Sequence, residues 1–175
     1  MRNLFLMRHG KAAWPDGVPD HRRPLAPRGQ VAVPLIAGQL KTLAPRIDLC
    51  MVSDATRTQE TFALIQTVIP DLQQQRTRMI YEAPPDILLE VVEELPSEAK
   101  TVLMIGHNPG LHAISLFLAD PAHSDAEAYA RLERKLPTAG LIHLQMEGHW
   151  REIGPETARL AAFVTPSLLG GTDED

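Results

Sequence analysis

The chain has a single cysteine, Cys50, which excludes an intrachain disulfide and any cysteine-rich metal site. Cys50 lies in the apolar run Leu49-Cys50-Met51-Val52, where a buried, inert thiol is expected. Long hydrophobic runs are missing too. The segment Leu4 to Met7 meets Arg8 too early to serve as a signal segment, and nothing approaches the length of a membrane span. A cytoplasmic location is therefore expected. There is no surplus of positive charge: the net charge of −5 gives no broad attraction to nucleic acid or anionic lipid. No Gly-rich strand–helix turn of the P-loop or dinucleotide type occurs, so a nucleotide-dependent kinase or oxidoreductase is unsupported. No HExxH spacing occurs, and His107 and His112 are placed so that they do not share a helical face. Neither a metal nor a cofactor is expected.

What is present suits one soluble α/β domain. The chain has 175 residues, 44% of them apolar and 22% charged. Residues 1–169 are expected to form a single domain, and the small, acidic tail 170–175 to be disordered. Short apolar runs alternate with helical periodicities. Leu4–Met7, Ile47–Val52, Arg78–Tyr81 and Thr101–Ile105 read as strands. Between them, helices are expected over Arg28–Leu43, with a kink or late start at Pro34, in the segment following an N-cap at Ser53-Asp54, and over Asp86–Leu95. Asn108 and Pro109 are suited to cap and begin a further helix, and Ala126–Leu136 is a charged helical segment. Gly140–Met146 alternates as a strand, with a turn at Gly148 into a second strand around Trp150–Ile153. Repeated strand–helix units argue for a three-layer α/β/α domain around a largely parallel sheet.

In such sheets, ligands bind beyond the carboxyl ends of the strands. Four polar stations fall there: Arg8-His9, Ser53 with Arg57 one helical turn on, Glu82, and His107. Their residue types suit phosphoryl transfer. Arg8 and Arg57 offer planar forks to phosphoryl oxygens, and Arg57 stands in a first helical turn, where the dipole also favours an anion. His9, as a neutral imidazole, is a competent nucleophile. His107 is placed to stabilise charge on the same oxygens.

Three blocks in this order resemble the histidine phosphatase superfamily: Arg8-His9-Gly10, Ser53 to Thr61, and Gly106-His107-Asn108-Pro109. The loop Asp20-His21-Arg22-Arg23-Pro24-Leu25-Ala26 is similar to that of the SixA-type phosphohistidine phosphatases. The resemblance runs from Leu4 to about Leu118 and continues loosely beyond. It implies a phosphoglycerate-mutase-like fold without the large insertion, because the short stretch from Thr61 to His107 is already occupied by a strand and a helix. It also implies His9 as covalent nucleophile, His107 as second catalytic histidine, and Arg8, Arg57 and His107 as the phosphate-binding set. Glu82 is the remaining acid at a strand end, with a catalytic and a merely structural role both open. The implied activity is metal-independent hydrolysis of phosphohistidine in a partner protein. The alternatives are a phosphatase of small phosphorylated metabolites and a catalytically idle phosphate-binding module. Each site residue also has an ordinary reading: His9 as a satisfied strand-end histidine, Arg57 pairing Glu60 or Asp54, and His107 bonding nearby backbone. Arg23 is expected to pair with Asp20, and the loop Trp14–Pro27 to rim the pocket.

Overall fold

The computed structural model describes residues 1–175. Six strands form one sheet in the order β3-β2-β4-β1-β5-β6. Strands β1 (Arg2–Arg8), β2 (Leu49–Ser53), β3 (Gln74–Thr77) and β4 (Thr101–Gly106) are mutually parallel, whereas β5 (Leu141–Met146) runs antiparallel to both β1 and β6 (Arg159–Val164). Helices α1 (Pro27–Leu43) and α2 (Thr56–Gln66) cover one face, and α3 (Pro85–Glu93), α4 (Gly110–Leu118) and α5 (Ala126–Arg134) the other. The three-layer α/β/α arrangement follows from strands that are apolar on both sides. In β1, Leu4 and Leu6 enter the core beneath α3–α5, while Phe5 and Met7 enter the core beneath α1 and α2. In β4, Val102 and Met104 alternate with Leu103 and Ile105 in the same way. No helix is long and apolar enough to cross a membrane.

The central position of β1, between β4 and β5, carries His9 to the middle of the sheet's carboxyl edge. Gly10 then lets α1 pack close behind the site, since a Cβ there would lie 2.7 Å from Val33 Cγ2.

Several local expectations are corrected. The third strand is Gln74–Thr77, and the expected strand Arg78–Tyr81 is a run of turns. The real strand is a short polar edge that pairs only with β2, so it has no apolar alternation to reveal it. Glu82 accordingly stands in a turn, with φ of 48°, and not at a strand end. The expected strand Trp150–Ile153 is a 3-10 turn over Trp150–Glu152. There Glu152 accepts from the His149 N–H, and the buried Trp150 indole donates to Ala99 O at 2.8 Å. The partner of β5 is β6, beyond that turn. Helix α1 runs from Pro27 through Pro34 to Leu43, with Val31 on its exposed face. Helix α2 starts from Ala55 with no side-chain cap, because the Ser53 hydroxyl faces His107 instead. Helix α4 starts after Pro109, one residue later than expected, while Asn108 Nδ2 donates to Leu136 O. In the tail, Glu174 O accepts from the Thr138 N–H and its carboxylate pairs with Arg28.

Candidate active site

Arg8, His9, Arg57 and His107, from three separate strand ends, meet with Glu82, from its turn, in the lining of one pocket of about 330 Å³. His9 follows β1 and is almost fully buried. Its Nδ1 lies 2.7 Å from Gly10 O. A carbonyl only accepts, so Nδ1 carries the ring proton and the lone pair is on Nε2. That nitrogen accepts from Arg57 Nε at 3.3 Å. Burial, the largest cause, together with the nearby charges of Arg57 and Arg8, holds the His9 pKa well below its ordinary value, against the hydrogen bond to Gly10 O. The imidazole is thus neutral at physiological pH, as a nucleophile must be.

His107 lies across from it, with ring centroids 5.3 Å apart. Its Nε2 is 2.7 Å from Ser53 Oγ, and its buried Nδ1 has no partner in the protein. Burial first, then Arg57, lowers its pKa to about 3. Two neutral rings therefore sit side by side in an environment of arginines.

Arg57 is buried at the start of α2. Its Nη1 donates to Asp20 O at 2.7 Å and its Nη2 to Asp20 Oδ2 at 3.1 Å, with Glu82 Oε1 3.8 Å away. Arg8 donates from Nη1 to Leu136 O at 2.9 Å, while its buried Nε is unpartnered. Burial, the first cause, and Arg57 lower the pKa of Arg8, against the attraction of Asp175. Thr61 ties the first two blocks together, its Oγ1 accepting from Gly10 N–H at 3.0 Å and donating to Arg57 O at 2.7 Å.

Sequence reasoning placed Asp20 on the rim and gave Tyr81 no part at all. In the structure the Tyr81 hydroxyl donates to Asp20 Oδ2 at 2.5 Å, and its ring meets His107 edge-on at 5.4 Å. Burial first and Asp20 next push the Tyr81 pKa up to about 12, so the hydroxyl keeps its proton. Burial pushes Asp20 upward, yet hydrogen bonds from Tyr81, Arg23 and Arg57 outweigh it and hold the carboxyl well below the usual range. As expected, Arg23 pairs with Asp20, at 3.1 Å; it also donates to Ala13 O and lies 3.2 Å over the exposed ring of Trp14 at the pocket mouth. Glu60 is spent on Leu25 N–H at 2.6 Å, holding the rim loop, and so is not the partner of Arg57. His112 bonds Leu132 O, away from the site. No three His, Cys, Asp or Glu side chains are clustered so as to hold a metal ion.

The family model of the histidine phosphatase superfamily (branch 1) matches residues 4–82, which include Arg8, His9 and Arg57. The uncharacterized protein Rv1276c of Mycobacterium tuberculosis is 36% identical over 160 residues, covering 91% of this chain and 99% of that protein. The SixA protein of Nakamurella multipartitia superposes with a TM-score of 0.81 at 29% identity, covering 94% of this chain and 96% of its own. That of Agrobacterium tumefaciens gives 0.77 at 26% identity, with 94% and 98% covered. The chain belongs to the histidine phosphatase superfamily. Its fold is that of the SixA proteins and of phosphoglycerate-mutase-like structures, and within that family it is a phosphatase.

Proposed function

We propose that the protein hydrolyses phosphohistidine in a partner protein through a phosphoryl intermediate on His9, without a metal. The observation that carries this reading is the direction of the His9 lone pair. Gly10 O fixes the proton on Nδ1, so Nε2 is the nucleophilic atom in a pocket also lined by two arginines and a second neutral imidazole.

In the first step Nε2 attacks phosphorus, and the bond from phosphorus to the departing nitrogen breaks. Arg8 and Arg57 compensate the charge on the equatorial oxygens, and His107 donates to one of them from Nδ1. In the second step water attacks the phosphorus on His9, the P–Nε2 bond breaks, and inorganic phosphate leaves. Glu82 is the acid at hand for leaving groups that need a proton. The likeness to the SixA proteins supports phosphohistidine as the substrate, as does a rim built from one loop with no lid insertion.

The test is a turnover panel run with a chelator throughout: a phosphohistidine protein, phosphotyrosine and phosphoserine peptides, and sugar phosphates. Catalytic efficiency should be highest on phosphohistidine by orders of magnitude and unaffected by chelation. A sugar phosphate turned over faster than every phosphoprotein would remove the substrate assignment and leave the chemistry at His9. Phosphate binding without turnover of any substrate would favour the idle binding module.

A further inference from the structure

The guanidinium assigned to the substrate phosphoryl group already carries an anion belonging to the chain. Both terminal nitrogens of Arg57 donate to Asp20, Nη2 to the carboxylate at 3.1 Å and Nη1 to the main-chain carbonyl at 2.7 Å. Arg8 is different: one nitrogen is fixed on a carbonyl, and its buried Nε is free. Of the two arginines, only Arg57 is in ion-pair contact with a carboxylate, Asp175 acting on Arg8 from farther away.

A carboxylate and a phosphoryl group make the same demand on a guanidinium, a pair of oxygens in its plane. They cannot both meet it, and two anions held side by side repel. The two partners are unequally anchored. Arg57 is a buried helical residue with its side chain 4% exposed, whereas the Asp20 side chain is 39% exposed and sits in a short 3-10 turn within the rim loop. Asp20 also has two other donors, Tyr81 at 2.5 Å and Arg23 at 3.1 Å. It can therefore leave Arg57 and remain satisfied.

We infer that Asp20 is a resident counter-anion on Arg57, displaced by the incoming phosphoryl group and returning to expel inorganic phosphate after hydrolysis. The inference rests on the proposed phosphatase reading of the pocket. Asp20 acts through Arg57 and is a positioning residue. Its charge holds down the affinity for the product, which carries the same oxygens as the substrate but has no further contacts to offset the displacement. A purely structural Asp20 would do the opposite, since losing it would loosen Arg57 and weaken anion binding. The sign of one measurement separates the two.

The experiment is calorimetric titration of the purified protein with inorganic phosphate, in wild type, Asp20→Asn and Asp20→Glu. Asp20→Asn should bind phosphate roughly fivefold more tightly, the size expected for removal of a part-exposed competing charge. Its KM and kcat should both fall as product release slows, while Asp20→Glu stays close to wild type. Equal or weaker binding by a folded Asp20→Asn overturns the inference. If that variant does not fold, the wild-type protein labelled with ¹³C at aspartate carboxyl groups gives the answer. The Asp20 resonance should move in step with phosphate occupancy, and an unmoved resonance at saturation overturns the inference. Failure of both wild type and Asp20→Asn to bind phosphate overturns it together with the reading of the pocket, which is distinct from wild-type binding that Asp20→Asn leaves unimproved.

Discussion

Ser53 Oγ lies 2.7 Å from Nε2 of His107 across the mouth of two adjacent parallel strands. With the hydroxyl donating, the ring proton is on Nδ1, the nitrogen with no partner in the protein. Ser53→Ala removes the bond that fixes this tautomer and leaves a buried Nε2 unmet. Turnover should fall roughly ten- to hundredfold, matching about 1–3 kcal/mol for an unsatisfied buried polar group. Steady-state kinetics of Ser53→Ala checks this; an unchanged kcat would remove Ser53 from the mechanism.

The phosphoenzyme should carry its label on Nε2 of His9, because Nδ1 is held by Gly10 O. Rapid quench with labelled substrate, followed by proteolysis at alkaline pH, should return an acid-labile, alkali-stable adduct at His9. The phosphorylated nitrogen can be read by NMR of the denatured adduct. Label on Nδ1, on a serine or on an aspartate would contradict the assignment.

The three motif blocks are legible in the sequence because each is a short local string at the end of an apolar run. Arg8-His9-Gly10 and Gly106-His107 each follow an apolar run directly and have a glycine beside the histidine. Asp20 and Tyr81 were not readable in the same way. Their meeting with Arg57 joins residues far apart in the chain, and each looks locally like an ordinary loop residue. The same distinction runs through the fold. Strands β1 and β4 are apolar on both faces and were found, whereas the polar edge β3 and the late partner β6 depend on which strand lies beside them.

Acid should destabilise the protein through the two buried histidines of the pocket. Both have folded pKa values below the ordinary value, His107 at about 3. Between about pH 6.5 and pH 3 the unfolded chain binds a proton at His107 that the folded site refuses, so stability falls as pH is lowered through this window, by up to about 1.4 kcal/mol per unit, and His9 acts in the same direction. Above that window both states are neutral at these positions and the effect vanishes. Denaturant melts at pH 7.5 and pH 5 should show the loss, and replacing His107 by Gln should shrink it. An equal pH dependence in that variant would assign the effect elsewhere.

Glu82 lies 3.8 Å from Arg57 in an exposed turn. Glu82→Gln should slow phosphate esters far more than phosphohistidine. An alkoxide needs a proton as it leaves, and general acid help is worth about 10²–10⁴ in rate, whereas a protonated imidazole departs unaided. Parallel kinetics on an ester and on phosphohistidine measure the contrast. Equal losses on both would contradict it, and no loss on either would leave Glu82 without a catalytic part.

The strand bearing His9 precedes both of its sheet neighbours in the chain by about a hundred residues or more. Arg2–Arg8 pairs with Thr101–Gly106 on one side and with Leu141–Met146 on the other. A nascent chain that has reached only α3 has His9 at the end of a strand with no neighbour, and His107 of the third block does not yet exist. Such distant pairings carry a loop-closure cost and fold slowly. The pocket therefore cannot be assembled from the residues up to α3: His9, Arg57 and His107 come together only once both neighbours of β1 are in place.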